Sequence, residues 1–309
     1  MTKARNLSLL STVEAGATAD QTKAEILSLG VVPSFVVGGT VSEYVSGGTT
    51  YRVHTFLSTS KIAFTGSTTC DFLILGGGGG GAGAEGQQGA AGGAGSGGMV
   101  VGTAQTITSG NYNVVVGAGG IGSDSVTASG ANGGNTTFNS IVATGGGGGP
   151  DYGTDGIAGG SGSGGAEPNK TGGASNQNQY DGVTNLQGYG GNGGTGGSYS
   201  GGGSAGGGGA GGNGANATGG SAAGGVGRAN NFRTGSNVTY GRGGEGHENN
   251  TTGEDEAANT GNGAHATATT NGNNAASGNG GSGIVVISIL NWSNRVNLLQ
   301  CSVTRLWCS

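Results

Sequence analysis

The passage CDFLILGGGGGGAGAEGQQGAAGGAGSGG, Cys70 to Gly98, constrains the fold more than any other. A run that reads as a buried strand, Asp71 to Leu75, enters six consecutive glycines and then a tract with almost nothing to fill a core. Eighty of the 309 residues are glycine, against a usual share of about 7%. Ordering backbone costs roughly 1–2 kcal/mol per residue, and glycine loses the most freedom. The tract is therefore either a tether or an object that folds without side chains.

Glycine has one such route. In an extended left-handed helix of the polyproline II type, with three residues per turn, the N–H and C=O groups point away from the axis. Without side chains in the way, neighbouring helices approach and hydrogen-bond, each bond contributing about 0.5–1.5 kcal/mol net. Glycine must then face the neighbours, with Ala, Ser, Asn or Thr facing out, and GGGGGGAGAEGQQGAAGGAGSGG fits loosely. The alternative is a flexible Gly/Ser linker. Interleaved VVV, IVAT and GIVVISI segments argue against it.

Charged residues are only 9% of the chain, which is not the charged, core-poor signature of ordinary disorder. Three prolines and irregular glycine spacing exclude collagen. A net charge of −5, with eleven thinly spread Lys and Arg, lacks a basic stripe, so nucleic acid is not an expected partner. The apolar runs near the N-terminus are too short for a secretory or membrane segment. Synthesis in a cytoplasm is therefore expected, with Cys70, Cys301 and Cys308 read as reduced thiols.

Residues 1–30 read as an attachment or oligomerisation segment. ADQTKAEILSLG carries a helix start, with Asp20 or Thr22 as N-cap, Glu25 completing a capping box, and Gly30 as the stop. Residues 31–75 read as a β collar. TTYRVHTFL alternates, with Tyr51, Val53, Thr55 and Leu57 on one face and Arg52, His54 and Phe56 on the other. The turn LSTSK then leads to Ile62 and Phe64, a hairpin-like pair of half-buried strands. DFLIL is a continuous apolar run, the kind covered on both faces. Its match is GSGIVVISIL, and the two are expected to pair, closing a loop of about two hundred glycine-rich residues. GMVVGTAQTI, GNYNVVVGAGG and GNTTFNSIVAT supply further strands in a glycine-rich body and tip, 76–290, followed by a tail of unknown role, 291–309. The expected fold is mostly β: antiparallel strands plus bundled polyglycine II-type left-handed extended helices, with a short N-terminal helix.

The segments YRVHTFLSTSKIAFTGSTTCDFLILGGGGGGAGA, GNYNVVVGAGG, NGGNTTFNSIVATGGGGG and GGSGIVVISI resemble the glycine-rich domain of bacteriophage tail-fibre and receptor-binding proteins. The opening MTKARNLSLLSTVEAGATADQT is similar to the start of tail-fibre-like proteins of marine phages. The resemblance covers most of residues 1–290 and implies a virion adhesin with loops at a tip touching the host surface. The ending NWSNRVNLLQCSVTRLWCS has no counterpart in that pattern. Implied partners are a host cell-surface glycan or outer-membrane protein and other virion proteins. A trimer or filament is compatible, although no heptad is present. A fibrous self-assembling sheath or filament without a receptor is the second reading.

Rigid loops bearing aromatic and amide side chains suit such a tip. Two glycine-poor stretches offer them: Tyr180, Asn185 and Tyr189 in one, and Asn231, Phe232, Arg233, Tyr240 and Arg242 in the other. Connector turns on a fibre body are the plainer reading of both. HENNTTGEDE, 247–256, fits neither an EF-hand loop nor HExxH and reads as a solvated acidic loop. His54 reads as structural. No strand-glycine-helix unit or paired carboxylate cleft is present, so no catalysis, cofactor or metal is expected.

Overall fold

The computed structural model describes residues 36–83, 91–123, 128–198, 203–246, 253–267 and 277–291. The expected N-terminal helix and, after Asn291, the expected 291–309 tail lie outside them. The described residues form antiparallel sheets and no helix.

The strands are β1 (Val36–Val37), β2 (Thr40–Ser46), β3 (Thr49–Phe56), β4 (Ser60–Phe64), β5 (Thr68–Leu75), β6 (Met99–Ile107) and β7 (Gly110–Val115), then β8 (Thr136–Phe138), β9 (Ile141–Ala143), β10 (Leu186–Tyr189), β11 (Arg228–Asn230), β12 (Val238–Tyr240) and β13 (Ile284–Leu290). A six-stranded sheet has the order β10-β6-β5-β13-β3-β2, a five-stranded sheet the order β1-β4-β7-β8-β9, and β11 pairs with β12 alone. The two apolar runs do pair: β13 lies antiparallel to β5, Ile284 opposite Leu75 and Ile287 opposite Phe72. On its other side β13 pairs with β3, Val285 opposite Phe56. The closing strand thus fills a slot between two strands made early in the chain.

Both runs are covered on both faces, as their lack of alternation requires. Phe72, Ile74, Val285 and Ile287 enter one core with Ile62, Phe64, Val114 and Phe138 of the five-stranded sheet. Leu73, Leu75, Ile284 and Val286 enter a second core with Val53, Met99 and Tyr240. In the first core the Phe72 ring meets Phe138 edge-on, centroids 5.8 Å apart, and Gly102 leaves the room that ring occupies.

One local expectation is corrected. β2 and β3 form a hairpin through Gly47 and Gly48, with φ of 57° and 77°, the conformation that matches a two-residue turn to strand twist. β3 and β4, however, do not pair. The turn after Phe56 carries the chain from one sheet to the other, because Phe56, Ile62 and Phe64 all point into the core between them. Nor is β3 half-buried throughout, since Val53 to Phe56 are all buried.

The glycine tract is hydrogen-bonded in a period of three. Gly76 and Gly79 donate to the carbonyls of Gly98 and Gly95, Gly77 and Gly80 to Gly134 and Ala131, and Gly78 and Gly81 to Gly281 and Gly278, all at 2.9–3.0 Å. Their carbonyls are used as well. Gly77 and Gly80 accept from Gly146 and Gly149, Gly78 and Gly81 from Gly120 and Ser123, and Gly79 from Ala264. The run 76–81 is thus enclosed by neighbouring backbone, and a Cβ on Gly78 would overlap the carbonyl oxygen of Asn262.

Candidate functional site

The anticipated contact residues separate onto opposite sides of the six-stranded sheet. Tyr180, with φ of 57°, is half-buried against the first core. Its hydroxyl donates to the Val142 carbonyl at 3.1 Å and accepts the Val142 N–H at 2.9 Å. It fastens its loop to β9. Asn185, with φ of 58°, is exposed, and its backbone carbonyl accepts from Thr103 N–H at 2.9 Å. Tyr189 packs at the second core, with the Arg228 guanidinium 3.6 Å from its ring centre, joining β10 to β11.

Phe232 and Tyr240 join Tyr189 at that second core. Burial pushes the Tyr240 hydroxyl above its usual pKa, against the opposing charge of Arg233. The loop between β11 and β12 folds so that Gly235, φ 78°, lies against the Tyr44 ring, where a Cβ would stand 2.7 Å from a ring carbon. Asn231 remains exposed at this loop, while Arg242 lies exposed beyond β12.

The outer segments of the body are finished by side chains. A backbone N–H there has no neighbouring carbonyl to meet, and an amide oxygen of the adjacent segment takes that place. Asn213 and Asn216 accept from Asn192 and Thr195, at 2.9 and 2.8 Å. Asn132 and Asn135 accept from Gly148 and Gly145, at 2.9 and 2.8 Å. Asn262 accepts from Arg242 at 2.9 Å, and three residues on His265 accepts the Glu245 N–H through Nδ1 at 3.3 Å. None of these residues stood out as functional in the sequence, yet their spacing was visible. GNGANAT (212–218) and GNGAHAT (261–267) are near copies, with His265 in place of Asn216.

Around His265 lies a recess of about 130 Å³ lined by Gly224, Gly225, Val226, Gly243 and Gly263 and by Arg242, Glu245, Glu256, Asn262 and His265. Glu256 binds His265 Nε2 at 3.3 Å and accepts from Asn262 Nδ2 at 3.0 Å. The Glu245 carboxylate stands 3.9 Å from Nδ1. The hydrogen bond to Glu256 raises the His265 pKa, with burial opposing. Burial pulls the Glu256 carboxyl upward, but the bonds from His265 and Asn262 outweigh it and hold its pKa low. Both imidazole nitrogens are engaged, one with the Glu245 N–H and the other with the Glu256 carboxylate. Among the described residues no group of three His, Cys, Asp or Glu side chains is placed to hold a metal ion.

Residues 55–290 match a known protein family, the glycine-rich domain. The chain belongs to the glycine-rich domain family. No curated protein matches it. The family's match begins within β3 and ends with β13, so it takes in the six-stranded sheet's central strands and the whole glycine body.

Proposed function

We propose that this glycine-rich domain protein is a phage tail-fibre or appendage protein of the virion, a non-catalytic adhesin that recognises a host-surface glycan or outer-membrane protein. In this reading the glycine segments are polyglycine II-type helices bundled into a rigid mount. The observation that carries it is the run Gly76–Gly81, whose donors return to the same neighbour every third residue, the period of such a helix. A mount of this kind holds connecting loops in fixed positions at little entropic cost on binding.

The capped outer segments favour a discrete body over a lattice that grows by adding copies. Where Asn192 and Thr195 would offer N–H groups to a further helix, Asn213 and Asn216 already occupy them. Self-assembly retains one supporting observation: Val37, Val41 and Val45 of β1 and β2 are 63%, 52% and 68% exposed, and among the described residues β2 is an edge strand of its sheet.

The test is binding of the fluorescently labelled full chain to a panel of bacterial strains, read by flow cytometry, with sedimentation velocity on the same sample. Saturable binding to some strains by a discrete species is expected. Uniform lack of cell binding together with concentration-dependent filaments would replace the adhesin with the sheath.

A further inference from the structure

The recess around His265 is built differently from the loops of the β11–β12 side. Its walls bring backbone without side chains at Gly224, Gly225, Gly243 and Gly263, so a flat molecule can approach the peptide groups directly. Its polar groups are gathered from three stretches of chain: Arg242 and Glu245, Glu256, and Asn262 and His265. Glu256, Asn262 and His265 hold one another in place, while Arg242 and Glu245 are exposed at the opening.

The chemistry narrows the occupant. A free anion would face two carboxylates, Glu245 and Glu256. A metal ion would need three gathered ligands, which the described residues do not provide. An apolar molecule would find only Val226 as an apolar wall. A neutral ring bearing several hydroxyls meets acceptors on Glu245, donors on Arg242 and a glycine wall along its face. Hydrogen bonds to ionised groups are roughly twice as strong as neutral ones.

We propose that this recess binds a neutral saccharide ring through Arg242 and Glu245. The proposal rests on the adhesin reading and deepens it: a glycan becomes the host component, and contact falls on the side of the body instead of the β11–β12 loop.

The full chain is titrated with glucose, galactose, mannose and N-acetylglucosamine and followed by saturation-transfer difference NMR and by the imidazole signals of His265 and His54. At least one sugar is expected to bind and to move the His265 signals while leaving His54 unchanged. Arg242→Ala or Glu245→Gln should weaken that binding about tenfold or more, and Asn231→Ala should leave it intact. Silence from all four sugars, or a response confined to signals other than His265, overturns the proposal even if a groove variant proves hard to fold. Cell binding, scored in parallel, separates the two claims. Protein that holds cells but takes up no sugar sinks the groove and leaves the adhesin. Sugar uptake without cell binding upholds the groove and sinks the adhesin.

Discussion

The N–H of Gly78 meets the carbonyl of Gly281 at 2.9 Å, joining the first glycines after β5 to the last before β13. Neither residue has room for a side chain, since a Cβ on Gly78 would meet the Asn262 carbonyl and one on Gly281 the Ala257 carbonyl. Gly78→Ala would drive a methyl group into the Asn262 carbonyl, and the enclosed backbone has no free side to move toward. A loss of about 3 kcal/mol or more, or failure to fold, is expected. Gly212→Ala, where a Cβ meets only Val226 Cγ2 at 3.4 Å, should stay within about 0.5 kcal/mol of wild type. Urea denaturation of both variants checks the contrast.

Amide exchange offers a second check on the same backbone. The N–H groups of Gly76–Gly81 are all bonded to other segments and should exchange with the core strands β5 and β13 as one cooperative unit. Exchange of these glycines at the rate of an open chain would contradict the enclosure.

His265 makes stability depend on pH in one direction. Its pKa is raised in the folded protein, first by the Glu256 bond, so the native state holds the proton more tightly. The resulting stabilisation is full below the unfolded value of about 6.5 and is lost as pH rises through the folded value. His265→Asn supplies the same kind of cap as Asn216 without titrating. Wild type should therefore lose stability relative to H265N as pH rises above 6.5, and an NMR titration should place His265 above that value.

His54 acts in the opposite sense. It is 1% exposed, with Nδ1–H donating to the Gly38 carbonyl at 2.7 Å. Burial lowers its pKa, the Gly38 bond opposes this, and Arg52 adds to the lowering. The unfolded chain then binds the proton more readily, so stability falls as pH drops from 6.5 toward the folded value. Melting curves from pH 7 to 5 should decline less steeply for His54→Gln, whatever its absolute stability.

Cys70 is buried in the first core, and burial, with Asp71 adding to it, pushes its thiol up to about 12. The thiolate is the reactive form. With Cys301 and Cys308 replaced by serine, native protein at pH 8 should leave a disulfide reagent unreacted until denaturant is added. Rapid labelling without denaturant would mean the sheets part more readily than their packing implies.

The pairing of DFLIL with GIVVISI was legible because both runs lack alternation, and only a strand covered on both faces has that pattern. The turn after Phe56 was not. Its local chemistry suits a hairpin, and the choice of a crossover depends on where Phe56, Ile62 and Phe64 find a common core, a contact between distant strands. The contact residues followed a similar division. Aromatic content marked Tyr189, Phe232 and Tyr240 as important, but composition does not distinguish a ring at a surface from a ring that fastens a hairpin to a sheet. The capping role of Asn213, Asn216, Asn262 and His265 was written in the spacing of GNGANAT and GNGAHAT. It becomes readable only once each N–H is known to need an acceptor on the adjacent segment.

The slot between β3 and β5 has a consequence for synthesis. Both strands leave the ribosome long before Ile284–Leu290, and until that segment arrives each presents an open row of peptide groups. The first and second cores stay unsealed for the same interval, since Val285, Ile287, Ile284 and Val286 belong to them. Closure over so long a separation is slow compared with local pairing. A chain cut short anywhere in the glycine body therefore keeps two unpaired strand edges and lacks the segment that joins them.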